Sequence, residues 1–298
     1  MQSSCNMPAR ARENSHFCEK LWFDRAPRAR HVAARERARI CFLEGDMGEN
    51  RRISIRLHGK SAAAGFFFAA VLCAFPAQAQ PREDAESPVL VELFLSQACN
   101  MCPPAAALFP KIAARDDVVA LSWHVDYWNM TTSENGRWVD PFSEAAYTKR
   151  QKRYNMNIRH RSSIYTPQAI VNGAAQTVGA SEEKIRELIE AAPDDGAKVF
   201  AHINKDGAVR FDIGKSEAGG NAYLVTFKKH VVTDITSGKN AGKTFDEVNV
   251  VTGMEPLGLV RRRGGDLTAP APAEGEGCAL IVQEPGQKGV VAAAYCPG

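Results

Sequence analysis

Cys99 and Cys102, three residues apart, carry the sharpest chemical signal in this sequence. They follow the apolar run Val89-Leu90-Val91-Glu92-Leu93-Phe94-Leu95. They precede Ala105, Leu108, Phe109 and Ile112, whose three- and four-residue steps predict a helix. A cysteine between a strand end and a helix start lies where backbone N–H groups and the helix dipole stabilise a thiolate. The spacing places Cys102 one turn on, within reach of a disulfide with Cys99. The expected chemistry is thiolate attack, a mixed disulfide, and resolution by the second cysteine. Zinc sites and inert structural bridges use the same spacing, so catalytic, metal-binding and structural readings stay open.

Tyr165-Thr166-Pro167-Gln168 is the second element. A proline leading directly into a strand suits a cis peptide bond. Beside the cysteines, Thr166 and Pro167 would offer backbone to an incoming substrate strand. His124-Val125-Asp126-Tyr127-Trp128 closes a second apolar strand over 118–125, and alternation puts His124 and Asp126 on one face. His124 could relay a proton, or join Cys99 and Cys102 as a soft-metal ligand. The blander reading is that both residues bond neighbouring backbone. Trp128, Trp138 and Phe142 read as packing, and the basic run Lys149-Arg150-Gln151-Lys152-Arg153 as a solvated helix face.

These residues need elements to position them. Ser143 can cap a helix carrying Ala146, Tyr147 and Tyr154. A strand over 168–171, the turn Asn172-Gly173 and a return strand over 176–178 follow, then a helix capped by Ser181 with Ile185, Leu188 and Ile189 on one face. The order predicts an α/β thioredoxin-like domain over 88–195, a central mixed sheet flanked by helices. Strands over 199–203, 209–213, 222–232, 247–252, 278–283 and 289–295 have no helical pattern between them. They predict a smaller antiparallel β-rich domain over 196–298, with a loop between 264 and 277. Its last hairpin, turning near Gly286 to Lys288, pairs residues whose numbers sum to 574. Cys278 and Cys296 then face each other, suited to a structural disulfide.

The chain has 298 residues, 45% hydrophobic and 24% charged, which excludes collagen-like, low-complexity and multi-span membrane classes. Its net charge of +3 divides unevenly. Residues 1–79 hold 13 Lys and Arg against 7 Asp and Glu, and residues 80–298 hold 24 against 27. A mildly acidic main body removes the electrostatic basis for nucleic-acid binding. Residues 62–75 carry no charge, follow Arg51, Arg52, Arg56 and Lys60, and lead to Ala77-Gln78-Ala79. That is the build of a secretory signal peptide over 47–79, cleaved between Ala79 and Gln80. Residues 1–46 read as untranslated, with a start at Met47, or as a disordered basic extension; residues 80–87 read as a flexible lead-in. The expectation is a periplasmic or secreted protein, able to hold disulfides, with no membrane span after cleavage. Its oligomeric state is open.

Taken together, Val91-Glu92-Leu93-Phe94, the segment from Ser96 through Cys99-Asn100-Met101-Cys102-Pro103-Pro104, His124-Val125-Asp126-Tyr127-Trp128, Asp140-Pro141-Phe142, Tyr165-Thr166-Pro167-Gln168 and the stretch from Gly238 to Thr244 resemble a secreted bacterial thioredoxin-like family of unknown function. The likeness runs from about residue 88 to residue 295. It implies a thioredoxin fold; the redox-active Cys99–Cys102 disulfide, with no cofactor, is what the residues themselves lead one to expect. Substrates would be cysteine-containing exported proteins. Cys-Pro also occurs in copper-delivering thioredoxin-like proteins, so the resemblance leaves a copper metallochaperone using Cys99, Cys102 and His124, or a non-catalytic binding module, as alternatives. The segment 129–137 is longer and more polar than the family's usual link.

Overall fold

The computed structural model describes residues 87–298; the expected signal peptide, its cleavage site and the extension before it lie outside the described residues. Val89–Leu95 forms β1, an apolar run buried on both faces. Pro103–Ala113 forms α1, with Pro103 and Pro104 in its first turn, where N–H groups lack intrahelical partners anyway. Val118–His124 is β2 and lies parallel to β1. Ala145–Tyr154 is α2, continued by a single π-helical turn, Asn155–Arg159. Gln168–Val171 (β3) and Ala175–Val178 (β4) form a hairpin, and Glu182–Glu190 is α3, entered from Ser181.

The remaining chain is strand: β5 (Val199–Ile203), β6 (Val209–Ile213), β7 (Gly220–Asp234), β8 (Thr244–Val260), β9 (Gly265–Ala269), β10 (Glu276–Gln283) and β11 (Val290–Tyr295). A helix-flanked thioredoxin α/β domain with a separate β unit behind it is not what forms. The described residues are 41% strand and 18% helix. β7, β8, β10 and β11 extend the first sheet itself, giving one eight-stranded mixed sheet in the order β11-β10-β7-β8-β2-β1-β3-β4. The joint is the parallel pairing of β8 on the free edge of β2, Ser122 opposite Val250. Only β5, β6 and β9 stand apart, as a three-stranded antiparallel sheet. β9 falls within the stretch expected to be a loop.

Sheet alternation sorts the core into layers. Val91, Leu93 and Leu95 face α1 and α3, packing with Phe109, Ile112, Ile185 and both cysteines. Leu90 and Phe94 face the other way, with Trp123, Tyr147 and Tyr154 beneath α2. The β7–β10 half of the sheet instead meets the small sheet through Phe211, Ile213, Leu224, Leu280 and Val282. Glu92, the one break in the β1 run, is buried against Arg150, whose Nε donates to it at 2.7 Å. Arg150 also donates to Tyr154, and the Tyr154 hydroxyl bonds Glu92. Arg150 and Gln151 therefore lie inside, not on the solvated face their neighbours suggest.

Candidate functional site

The site lies where β1 gives way to α1. The loop leaving β1 is tied internally: Ala98 N–H donates to Ser96 Oγ at 3.1 Å, and Cys99 N–H to the Ser96 carbonyl at 3.1 Å. Cys102 N–H donates to the Cys99 carbonyl, and Cys102 then accepts the first helical bonds from Ala105 and Ala106. Both thiols are free and buried. The Cys99 Sγ lies 3.8 Å from the carbonyl oxygen of Thr166. The Thr166–Pro167 peptide is cis, as the sequence suggested, and places Thr166 over the cysteine loop.

The two sulfurs differ electrostatically. The Cys102 thiol donates to the Cys99 sulfur, which outweighs burial and lowers the Cys99 pKa to about 7. Burial, then the neighbouring Cys99, pushes Cys102 well above the usual thiol range. One thiol is thus poised to ionise near neutrality and the other held protonated, the asymmetry an attacking and resolving pair requires. Trp128 Nε1 donates to Thr166 Oγ1 at 2.7 Å, so this indole frames the cis-peptide side. The Tyr127 hydroxyl is buried with no hydrogen-bond partner among the described residues. Burial raises its pKa, and Thr166 and both cysteines are among its electrostatic neighbours.

His124 is held between two buried carboxylates. Its Nδ1 lies 2.8 Å from Asp140 and its Nε2 3.3 Å from Glu247, all three side chains buried. Burial opposes its charge, but Asp140 and then Glu247 outweigh that, pushing the imidazole up to about 10. The neutral imidazole is the form that ligates a metal. Among the described residues, no three His, Cys, Asp or Glu side chains are grouped to hold one. Asp126 accepts from Thr148 Oγ1 at 2.6 Å and returns its own N–H to that hydroxyl, pinning the β2 exit to α2. Cys278 and Cys296 form the disulfide at the mouth of the last hairpin, their Cα atoms 5.2 Å apart.

Several site residues were not foreseen. Gln97 N–H donates to Asp140 Oδ2 at 2.7 Å, its Nε2 to Glu247 at 2.8 Å, and Trp138 Nε1 donates to its Oε1 at 3.2 Å. Asn240, from the turn between β7 and β8, donates to the carbonyls of Gln97 and Cys99 at 2.8 and 2.9 Å. Asp140 and Asn240 fall within the segments that carried the family likeness, which was the one available signal for them. Gln97 shared that signal, and Glu247 had none.

The site and sheet together define a mostly β protein with a buried, asymmetric dithiol at a strand–helix junction. The chain belongs to DUF1223, a family of proteins of unknown function whose model matches residues 90–283. It is similar to a crystal structure of a protein from Agrobacterium tumefaciens, with 28% identity and a TM-score of 0.62, covering 72% of this chain and 96% of that one. HBP35 of Porphyromonas gingivalis matches at 12% identity and a TM-score of 0.47, over 70% of this chain and 74% of that one. No curated protein matches the chain.

Proposed function

We propose that this protein is an exported thiol–disulfide oxidoreductase acting on the cysteines of other exported proteins. The observation that carries the reading is the split between Cys99, drawn down to about 7, and Cys102, held well above its usual value, beneath the Thr166–Pro167 cis peptide. Part of Cys99 is then thiolate near neutral pH. That thiolate attacks one sulfur of a substrate disulfide, forming a mixed disulfide and expelling a substrate thiolate, which takes up a proton. Cys102, losing its proton, attacks the Cys99 sulfur and expels the second substrate thiolate. The substrate gains two electrons and the protein is left with a Cys99–Cys102 disulfide; a dithiol substrate runs the sequence backwards. Thr166 and Pro167 border the attacking sulfur and act as the substrate platform. Because both sulfurs are buried in the reduced state, a substrate strand must displace part of the exposed Asn100–Met101 rim. Likeness to thioredoxin-like proteins is, on this reading, one of site chemistry.

Cys102→Ser tests it. The variant should accumulate mixed disulfides through Cys99, resolved by mass after acid trapping. In the parent, Cys99 and Cys102 should titrate against glutathione between about −270 and −120 mV, the span of dedicated redox proteins. A pair still oxidised below about −300 mV is a structural bridge, and that result removes the reading. Copper loading that Cys102→Ser weakens, without any trapped mixed disulfide, points instead to the metallochaperone.

A further inference from the structure

The turn joining β7 to β8 reaches the dithiol from far along the chain. Residues 235–243 form a tight tip, closed by Ile235 N–H to the Lys243 carbonyl at 2.9 Å and Gly242 N–H to the Ile235 carbonyl at 2.8 Å. Gly238 and Ser237 fasten it to the loop before Trp138, through Gly238 N–H to Asn135 O and Ser237 Oγ to Arg137 O, both 2.9 Å. From this base Asn240, fully buried, uses its side-chain amide on two carbonyls flanking Ala98, those of Gln97 and Cys99. Lys243 Nζ donates to Asn240 Oδ1 at 3.1 Å, which sets the amide's orientation. On the other side of the site, Lys239 Nζ sits 5.6 Å from the centroid of the Trp128 ring, the same indole that holds Thr166. The tip therefore touches both halves of the site, the nucleophile's loop and the cis-peptide segment.

We infer that Asn240 is a positioning residue for the Cys99 thiol, and that the 235–243 tip is a clamp fixing the dithiol loop against Thr166; this rests on the oxidoreductase reading. A buried carbonyl without a donor is costly, so losing Asn240, which serves the Gln97 carbonyl and joins Cys102 N–H on the Cys99 carbonyl, lets the Gln97–Ala98 and Cys99–Asn100 peptide planes turn toward other donors. Those planes carry the Cys99 Cα–Cβ bond. Turning them moves Sγ away from the Cys102 thiol whose hydrogen bond stabilises the thiolate. The clamp acts through Cys99 and does not itself touch substrate sulfur.

The test is the pH profile of Cys99 alkylation by iodoacetamide, from about pH 5 to about pH 10, on protein reduced at Cys99 and Cys102 with Cys278–Cys296 intact. Asn240→Ala should move the midpoint to higher pH and slow alkylation at pH 7 by about three- to tenfold. Lys243→Ala, at an exposed position safe for folding, should shift it the same way by less. A profile superposing on the parent's in Asn240→Ala overturns the inference. Should that variant not fold, an unmoved midpoint in Lys243→Ala does so alone. A parent with no thiolate titration near neutrality removes the oxidoreductase reading, and the clamp with it.

Discussion

His124 shows how far residue type alone can take an argument. A histidine at a strand end near two cysteines suggests a ligand or proton relay, because its neutral pKa and soft nitrogens suit both roles. The structure surrounds it with Asp140 and Glu247, a pairing illegible in the sequence because Glu247 comes from a strand 123 positions later. The buried group carries two carboxylates and one cation. Removing the cation leaves the carboxylates buried and unpaired, so His124→Ala should lose about 3–5 kcal/mol in urea unfolding. Its folded pKa, about 10, lies above the ordinary 6.5, so its contribution is complete below about pH 6.5 and fades as pH rises toward 10. Asp140 is held below 3.8, first against burial and chiefly by His124, so its share is complete above that value and fades on acidification. Stability should plateau from about pH 4 to 6.5, and in His124→Ala the alkaline decline in the parent's urea midpoint should flatten.

At the scale of elements, local pattern was a sound guide and sequence distance was the limit. The last hairpin pairs Ala279 with Tyr295 and Leu280 with Ala294, the register that sets Cys278 opposite Cys296. Strand β10 carries a further hint: 278–282 is apolar throughout, as suits a strand covered on both faces, although the strand order alone points to a separate β-rich domain. The tip between β7 and β8 was the harder case. Gly238-Lys239-Asn240-Ala241-Gly242 has the composition of a solvent turn, and only a contact 141 residues away turns it into part of the site. Its geometry depends on Gly238, which holds φ at +78° with Trp138 so close that an added Cβ would meet the Trp138 Cβ at 2.9 Å. Gly238→Ala should therefore cost about 1–3 kcal/mol and speed hydrogen exchange at 235–243. Exchange unchanged from the parent would show that the tip does not depend on this residue.

The whole molecule turns on the seam between β2 and β8. Backbone pairing there is short, and side chains complete it. Tyr295 at the end of β11 takes the Ala120 N–H at 2.7 Å and gives its own proton to the Ala120 carbonyl at 3.0 Å. Asn249 donates to the same carbonyl and to the Tyr295 hydroxyl. The strand holding this tyrosine is tethered one residue on by the Cys278–Cys296 disulfide, so the bridge at one edge of the sheet secures a bond at its middle. Two units behind a linker would unfold separately. A continuous sheet whose dithiol loop is gripped by Asn240 should unfold as one. Replacing Cys278 and Cys296 by serine removes a loop constraint of about 3 kcal/mol. The loss should appear as one shifted transition, with tryptophan fluorescence near the dithiol, far-UV circular dichroism and exposure of Cys102 to alkylation all moving together along the urea axis. Cys102 still protected after the β-rich residues had unfolded would break the sheet into two cooperative units and place the seam between them.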